Sequence, residues 1–369
     1  MSWGGPLGPP FSFGQSLQCD DQATYGGDHA ISGKLLVTDL GIFVIDTGKI
    51  LKGQKMKSIF LATSVLALSA GFAAAEVTLS GDARMGVISD FGSTDMAFTS
   101  RARVKFTLSG STDGGLEFGA SFRADNAPGA ASGTAGSVFI SGAFGKLSMG
   151  DVDGAANAAV GQVSGVGLVN SGDLNEVIYL ANGGSDLDIP AVAGVDTVDP
   201  SALYEYSTGD LTIYASVTNP SGPADAYAIA AKYALGDYTV SLGYEDLQGT
   251  NTSGFDNDIQ HIVIGATATF GAATVKAIYG QANGLFDGFT VDNEDQFAVS
   301  VDYKMDAMTV TAFYTDDFID FGFGDTAGAE AYGLGASYDL GGGASVAGGY
   351  VQNQTTDEDA YDLGVSMSF

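Results

Sequence analysis

The chain is short of cysteine, tryptophan, histidine, proline and positive charge. Its 369 residues hold one Cys, one Trp, two His, eight Pro, and 14 Lys plus Arg against 44 Asp plus Glu, for a formal net charge of −30. A single Cys19 excludes an internal disulfide framework. A nucleic-acid partner is excluded as well, because binding one needs a basic face. There is no run of 18 or more uncharged apolar residues, so no membrane-spanning helix is indicated. That absence leaves strand spans open, since barrel strands give a far weaker hydropathy signal. Beyond residue 75 only His261 and no Cys remain, which removes most nucleophilic and zinc arrangements. Gly-rich stretches such as Gly341-Gly342-Gly343 lack the Gly-Lys-Ser/Thr of a phosphate loop. No catalytic set is visible, and the chain reads as a non-enzyme with no required cofactor.

What is abundant is glycine, 54 residues, and aromatic side chains at 11%. Only 16% of residues are charged while 45% are hydrophobic, which separates this acidic chain from a disordered acidic tail.

The N-terminal quarter differs from the rest. Met56-Lys57-Ser58 opens a short positive region, Ile59 to Phe72 is mostly apolar, and Ala73-Ala74-Ala75 supplies small residues before Glu76. Positive start, apolar middle and small-residue exit are the parts of a secretory signal peptide, so 56–75 is expected to be one. It would sit behind residues 1–55, a prefix that holds Trp3, Cys19 and His29 and lacks strand alternation. Met56 is expected to be the true start, with 1–55 as translated upstream sequence; a genuine flexible extension is the other reading.

From Glu76 onward the chain alternates with period two, the mark of strands with two different faces. Tyr361, Leu363, Val365, Met367 and Phe369 alternate with Asp362, Gly364, Ser366 and Ser368. Val77, Leu79, Ala83, Met85 and Val87 alternate with Thr78, Ser80, Asp82 and Arg84, and Tyr238, Val240, Leu242 and Tyr244 with Thr239, Ser241, Gly243 and Glu245. The second face is small and polar or charged, as a wet lumen requires. All nine basic residues beyond 75 (Arg84, Arg101, Arg103, Lys105, Arg123, Lys146, Lys232, Lys276 and Lys304) fall on that second phase. A cation facing lipid at the midplane would cost roughly 2–4 kcal/mol, so a membrane barrel should enforce this parity.

Three features separate a membrane barrel from a soluble sandwich. Short turns (Phe144-Gly145, Gly209-Asp210, Gly236-Asp237, Met305-Asp306-Ala307) alternate with longer Gly/Asp/Asn-rich stretches such as Gly249 to Asp258. Tyr238 and Tyr244 bracket Val240 and Leu242 on one face, as interfacial aromatic girdles do. The chain ends on Phe369 within an alternating strand, so Tyr361, Leu363, Val365, Met367 and Phe369 are the expected assembly signal. Counting gives sixteen strands, the even number that an all-β, closed antiparallel transmembrane barrel needs, because in hydrocarbon an open edge would leave backbone groups unsatisfied.

One connection, 151–200, breaks this rhythm and is long enough to be functional. It carries Asp151, Asp153, Asp173, Glu176, Asp186, Asp188, Asp196 and Asp199 without Lys or Arg, and the apolar run Val177-Ile178-Tyr179-Leu180 that needs somewhere to pack. All four arginines beyond residue 75 lie between 84 and 123, on the polar phase of the first three strands, with Arg101, Arg103 and Lys105 on successive inward positions. An acidic loop folded inward would face that basic wall across a narrow wet gap, giving a transverse field that passes small polar solutes and disfavours apolar ones. The other reading is an exposed acidic cap, with the arginines paired to neighbouring Asp82 or Glu117.

Glu76 to Val87, Gly115 to Phe122, Ser141 to Lys146 and Tyr332 to Gly343 resemble the Rhodobacter-type outer-membrane porins. The resemblance covers roughly 76–369. It implies a sixteen-stranded homotrimer in the outer membrane of a Gram-negative bacterium, serving passive diffusion of ions and small hydrophilic solutes. It also implies a third loop folded inward as a constriction. By position Arg84, Arg101, Arg103 and Arg123 match the basic wall and Asp151 begins the loop. Between Ala155 and Val169 the loop is rich in Ala, Val and Gly where relatives hold more acids. Some relatives bind calcium among loop acids, which makes Asp186 and Asp188 the candidate ligands here. Expected partners are further copies of the chain, outer-membrane lipid and lipopolysaccharide, and the secretion and barrel-assembly machinery. A solute-specific channel shares the fold and is the alternative; an aromatic ladder along the lumen would favour it. The net charge predicts a weak preference for cations, opposed at the narrowest point by the arginines.

Overall fold

The computed structural model describes residues 75–92, 95–124, 136–169, 173–181, 201–218, 224–250, 254–286, 288–316 and 330–369. The expected prefix and signal peptide lie outside these residues. The strands are β1 (Glu76–Ser89), β2 (Ala97–Ser111), β3 (Glu117–Arg123), β4 (Ser137–Gly142), β5 (Gly145–Gly150), β6 (Ser201–Thr208), β7 (Leu211–Val217) and β8 (Ala224–Leu235). They continue as β9 (Tyr238–Thr250), β10 (Asp256–Phe270), β11 (Ala273–Phe286), β12 (Phe289–Met305), β13 (Met308–Asp316), β14 (Ala331–Gly341), β15 (Ala344–Asn353) and β16 (Glu358–Ser368). One short helix, α1 (Ala155–Val160), lies between β5 and β6.

Every strand pairs antiparallel with its chain neighbours, and β1 pairs with β16 to close the barrel. At the seam Met85 lies opposite Val365 and Ser89 opposite Tyr361. The last residue extends the seam: Gly81 N–H donates to the Phe369 carbonyl at 3.1 Å and Phe369 N–H to the Gly81 carbonyl at 2.9 Å. Closure matters because lipid offers no partner for an unpaired edge.

The two faces behave as the alternation demands. On β10, Ile262 and Ile264 are exposed while His261 and Val263, on the alternate phase, are buried. Leu79, Met85, Val240, Leu242, Leu334 and Leu363 are exposed in the same way on their strands. So continuous an apolar exterior marks a surface whose solvent is lipid. Tyrosines edge it in two rows. Tyr233, Tyr238, Tyr303 and Tyr338 lie near the short turns, and Tyr227, Tyr279, Tyr332 and Tyr361 near the longer connections, all exposed.

Short connections such as 209–210, 236–237, 271–272, 306–307 and 342–343 gather at one rim. Gly236, with φ 66°, opens one of them in the left-handed region that glycine adopts without strain. Asp306, with φ 51°, fills the equivalent position of another, a residue type that tolerates that region. β12 begins at Phe289, ahead of any clear alternation, because the run Thr290 to Gln296 carries polar residues on both phases.

The inner face departs from the uniformly polar lining expected of it. Ala228, Leu247, Ile259, Val263, Ile278 and Phe313 point inward and are buried. They form the floor of an apolar layer whose roof is the third loop, with Ala155, Ala156, Val160, Val163, Val166, Ile178 and Leu180. One side of the lumen is therefore dry and filled by the loop; the wet lining is confined to the remainder.

Candidate functional site

On the wet side, cross-strand register gathers the basic residues. Arg84 on β1 lies directly opposite Arg101 on β2, Asp82 opposite Arg103, and Lys105 opposite Arg123 on β3. Two like-charge pairs placed face to face repel, which a fold retains only for a reason other than stability. Asp82 offsets part of the repulsion: Arg101 Nη2 donates to it at 3.1 Å, and Arg103 Nε reaches both carboxylate oxygens at 3.2 and 3.0 Å. These side chains stay partly solvent-exposed, at 37% for Arg101 and 20% for Arg103, so they border the aqueous space instead of a core. Asp82 and, beside Arg84, Asp362 offset only part of this cluster of five cations.

The third loop is laid along the rest of the wall, from β7 round to β16. At its start, Ala155 N–H donates to Ser216 Oγ on β7 at 2.8 Å. The small residues of α1 allow close approach: an added Cβ at Gly243 would meet Ala156 at 2.7 Å, and at Gly265 it would meet Val160 at 2.8 Å. Lys232 on β8 approaches the Ala158 carbonyl at 3.4 Å, a favourable place for a cation near a helix C-terminus. Further along, Ser164 N–H donates to Ser300 Oγ and its hydroxyl to Asp302 on β12, at 3.1 and 2.6 Å. Leu168 and Val169 both donate backbone N–H to Asp362 on β16, at 2.8 and 2.7 Å. Thr315 on β13 holds the Leu174 carbonyl at 2.6 Å.

The loop also braces itself. Gln162 bonds Val177 in both directions, at 2.8 and 2.7 Å, and Asn175 Nδ2 donates to the Val163 carbonyl at 2.8 Å. Tyr179 donates its hydroxyl to the Gly161 carbonyl at 2.9 Å. Burial, with the Glu245 and Asp153 carboxylates nearby, pushes that phenol well above its ordinary value, so it stays a neutral donor. The run Val177 to Leu180 that needed a packing surface is buried against the β9–β13 wall.

The remaining residues singled out by sequence fall as follows. Asp151 leaves the barrel at the end of β5, its N–H donating to the Gly136 carbonyl at 3.0 Å, and both it and Asp153 are exposed. Asp173 is exposed, with φ 55°, and accepts the Glu176 N–H at 3.0 Å; Glu176 is half-buried. Asp186 and Asp188 lie outside the described residues. Tyr361 and Leu363 are exposed on the outer face of β16, Val365 and Met367 half-buried beside them, and Phe369 is exposed beyond.

The residues that anchor the loop were missed by the sequence reading: Ser216, Glu245, His261, Gln296, Asp362 and Thr315. A signal was available for some of them. His261 and Glu245 are ionisable residues on the inward phase, with apolar Ile259 and Val263 two residues either side of the histidine. A titratable group on an apolar stripe needs a buried polar partner.

A Gram-negative porin family profile matches residues 62–368. A porin of Rhodobacter capsulatus is 40% identical over 318 residues, which is 80% of this chain and all of that protein. A porin of Fuscovulum blasticum is 30% identical over 313 residues, again 80% of this chain and all of the relative. Among solved structures, a porin refined at 1.8 Å superimposes with a TM-score of 0.67 at 38% identity, over 80% of this chain and all of that one. A triple mutant of Rhodopseudomonas blastica porin gives 0.56 at 26%, over 79% of this chain and all of that one.

Proposed function

The chain belongs to the Gram-negative porin family, and from that premise we propose that it is an outer-membrane general diffusion porin, passing ions and small hydrophilic solutes through water. The observation that carries the reading is the division of the lumen: the third loop is hydrogen-bonded along the β7–β16 wall, and the strip it leaves bears Arg101, Arg103, Lys105 and Arg123. Solutes pass between a fixed obstruction and a cationic wall, a positioned charge filter that needs no moving part.

Arg84, Arg101, Arg103, Lys105 and Arg123 are the basic side of the constriction, and Asp151, Asp153, Asp173, Glu176, Asp186 and Asp188 supply its acidic side. The absence of Lys and Arg between 151 and 200 supports this assignment. Calcium would be held by Asp186 and Asp188, an accessory role that family likeness supports. Weak cation preference is expected, because the excess of acidic residues dominates the mouths while the arginines oppose it inside.

The pore works as a homotrimer. The outer faces of β1–β5 contain no Tyr or Trp, whereas tyrosines edge the surface from β8 to β16. A girdle belongs where protein meets lipid and lipopolysaccharide, so its gap is suited to subunit contact. Export uses 56–75 as a cleaved signal peptide, and β16 with Phe369 addresses the assembly machinery. Planar-bilayer recording of the purified protein tests the proposal. Stepwise conductance in threes is expected; a purified, folded protein that never conducts would refute it.

A further inference from the structure

The anchoring of the loop contains one element that bears on how the pore stays open. Glu245 on β9, His261 on β10 and Gln296 on β12 are buried to 1% exposure or less on the inner wall. They hold each other and the loop. Glu245 accepts the Leu180 N–H at 3.0 Å and the Ala181 N–H at 3.1 Å, and its Oε2 lies 2.7 Å from His261 Nδ1. Gln296 treats Ile178 as a strand partner would: its Oε1 accepts the Ile178 N–H at 2.9 Å and its Nε2 donates to the Ile178 carbonyl at 3.1 Å. The same Nε2 lies 2.9 Å from His261 Nε2.

The contact between His261 and Gln296 spans a whole strand, because β11 runs between β10 and β12. Gly280 makes it possible: a Cβ there would stand 2.5 Å from His261 Nε2 and 2.6 Å from Gln296 Nε2.

Donor and acceptor roles follow from this geometry. Bonding to both backbone groups of Ile178 fixes which end of the Gln296 amide is nitrogen. Its second N–H then points at His261 Nε2, which must accept. Nδ1 therefore carries the ring proton and donates to Glu245, and every group is satisfied with a neutral imidazole and a charged carboxylate. A proton added at Nε2 would set donor against donor. Gln296 would have to turn, and turning it undoes both bonds to Ile178. The charged and titratable groups around the ring are Glu245 on β9, Tyr179 on the loop with its ring 6.3 Å away, and beyond it Asp153; β11 offers Gly280 and β12 the uncharged Gln296.

We propose that Glu245, His261 and Gln296 form a latch that positions the third loop at residues 178–181 and so holds the pore open, and that protonation of His261 releases it. This rests on the diffusion-pore reading above. The three are positioning residues for that pore.

Single-channel recording of the folded, bilayer-inserted protein at neutral and acidic pH tests it, with Glu245→Gln and His261→Gln beside the unaltered chain. A glutamine at 261 can donate to Glu245 and accept from Gln296 but has no proton to gain. The unaltered channel should be quiet at neutral pH, and in acid it should show several-fold greater current noise and a lower closing voltage. Glu245→Gln should show that behaviour already at neutral pH, and His261→Gln should stay quiet in both buffers. Should Glu245→Gln fail to fold, the acid response of the other two decides. A Glu245→Gln channel as quiet as the unaltered one, or an acid response that persists in His261→Gln, overturns the latch. An unaltered protein that never conducts overturns the diffusion-pore reading instead.

Discussion

Asp82 and Arg103 face each other across β1 and β2, joined at 3.0 and 3.2 Å through both carboxylate oxygens, and the same carboxylate also takes Arg101. Asp82 thus offsets part of the charge of a wall rich in cations. Replacing it with asparagine should shift the reversal potential in a KCl gradient toward anions. The double change Arg101→Gln with Arg103→Gln should shift it toward cations and raise conductance. If neither substitution moves the potential, this wall does not border the ion path.

Selectivity from exposed or half-exposed charges is screened. The Debye length falls from about 10 Å at 0.1 M to about 3 Å at 1 M salt, so the preference for cations should weaken over that range. Permeability ratios measured at a fixed gradient across both concentrations check this. A ratio that does not change would assign selectivity to pore size.

Asp362 receives N–H groups from Leu168, Val169 and, within its own sheet, Gly349 at 3.0 Å. It is buried to 5% exposure. Hydrogen bonds to a charged group contribute about 1.5–3 kcal/mol each, and a buried donor left unpaired costs about 1–3 kcal/mol. Asp362→Ala should therefore loosen the loop around 166–169 without opening the barrel. Limited proteolysis should cut within the loop, while the β spectrum and heat resistance of the barrel remain.

Leu242 is 53% exposed on the outer face of β9, between Tyr238 and Tyr244. Leu242→Arg should destabilise refolding into lipid by about 2–4 kcal/mol. Denaturant titration in vesicles measures this. Thr239→Arg, on the inward phase of the same strand, should cost much less.

Much of this is legible in the sequence. All sixteen strands, the inward phase of every basic residue and the odd length of 151–200 follow from alternation and from turn residues. A one-residue slip would turn a greasy face to water, so period two constrains each strand on its own. Where polar residues occupy both phases, as between Thr290 and Gln296, that constraint vanishes and the pattern does not mark where β12 starts. The inner face was misjudged for another reason. The second face reads as small and polar, and Ile259, Val263 and Ile278 depart from that because their partner is a loop with no periodicity of its own.

The sequence by itself determined that the chain makes two-faced strands in even number, apolar on one side, with its cations on the other. Only the tertiary structure decided which wall the loop covers, that Asp82 rather than a distant acid takes Arg101 and Arg103, and that His261 meets Gln296 over Gly280. The reason is one of range. Alternation is a property of neighbours in the chain, whereas these contacts join residues brought together by barrel closure and by the absence of a single Cβ.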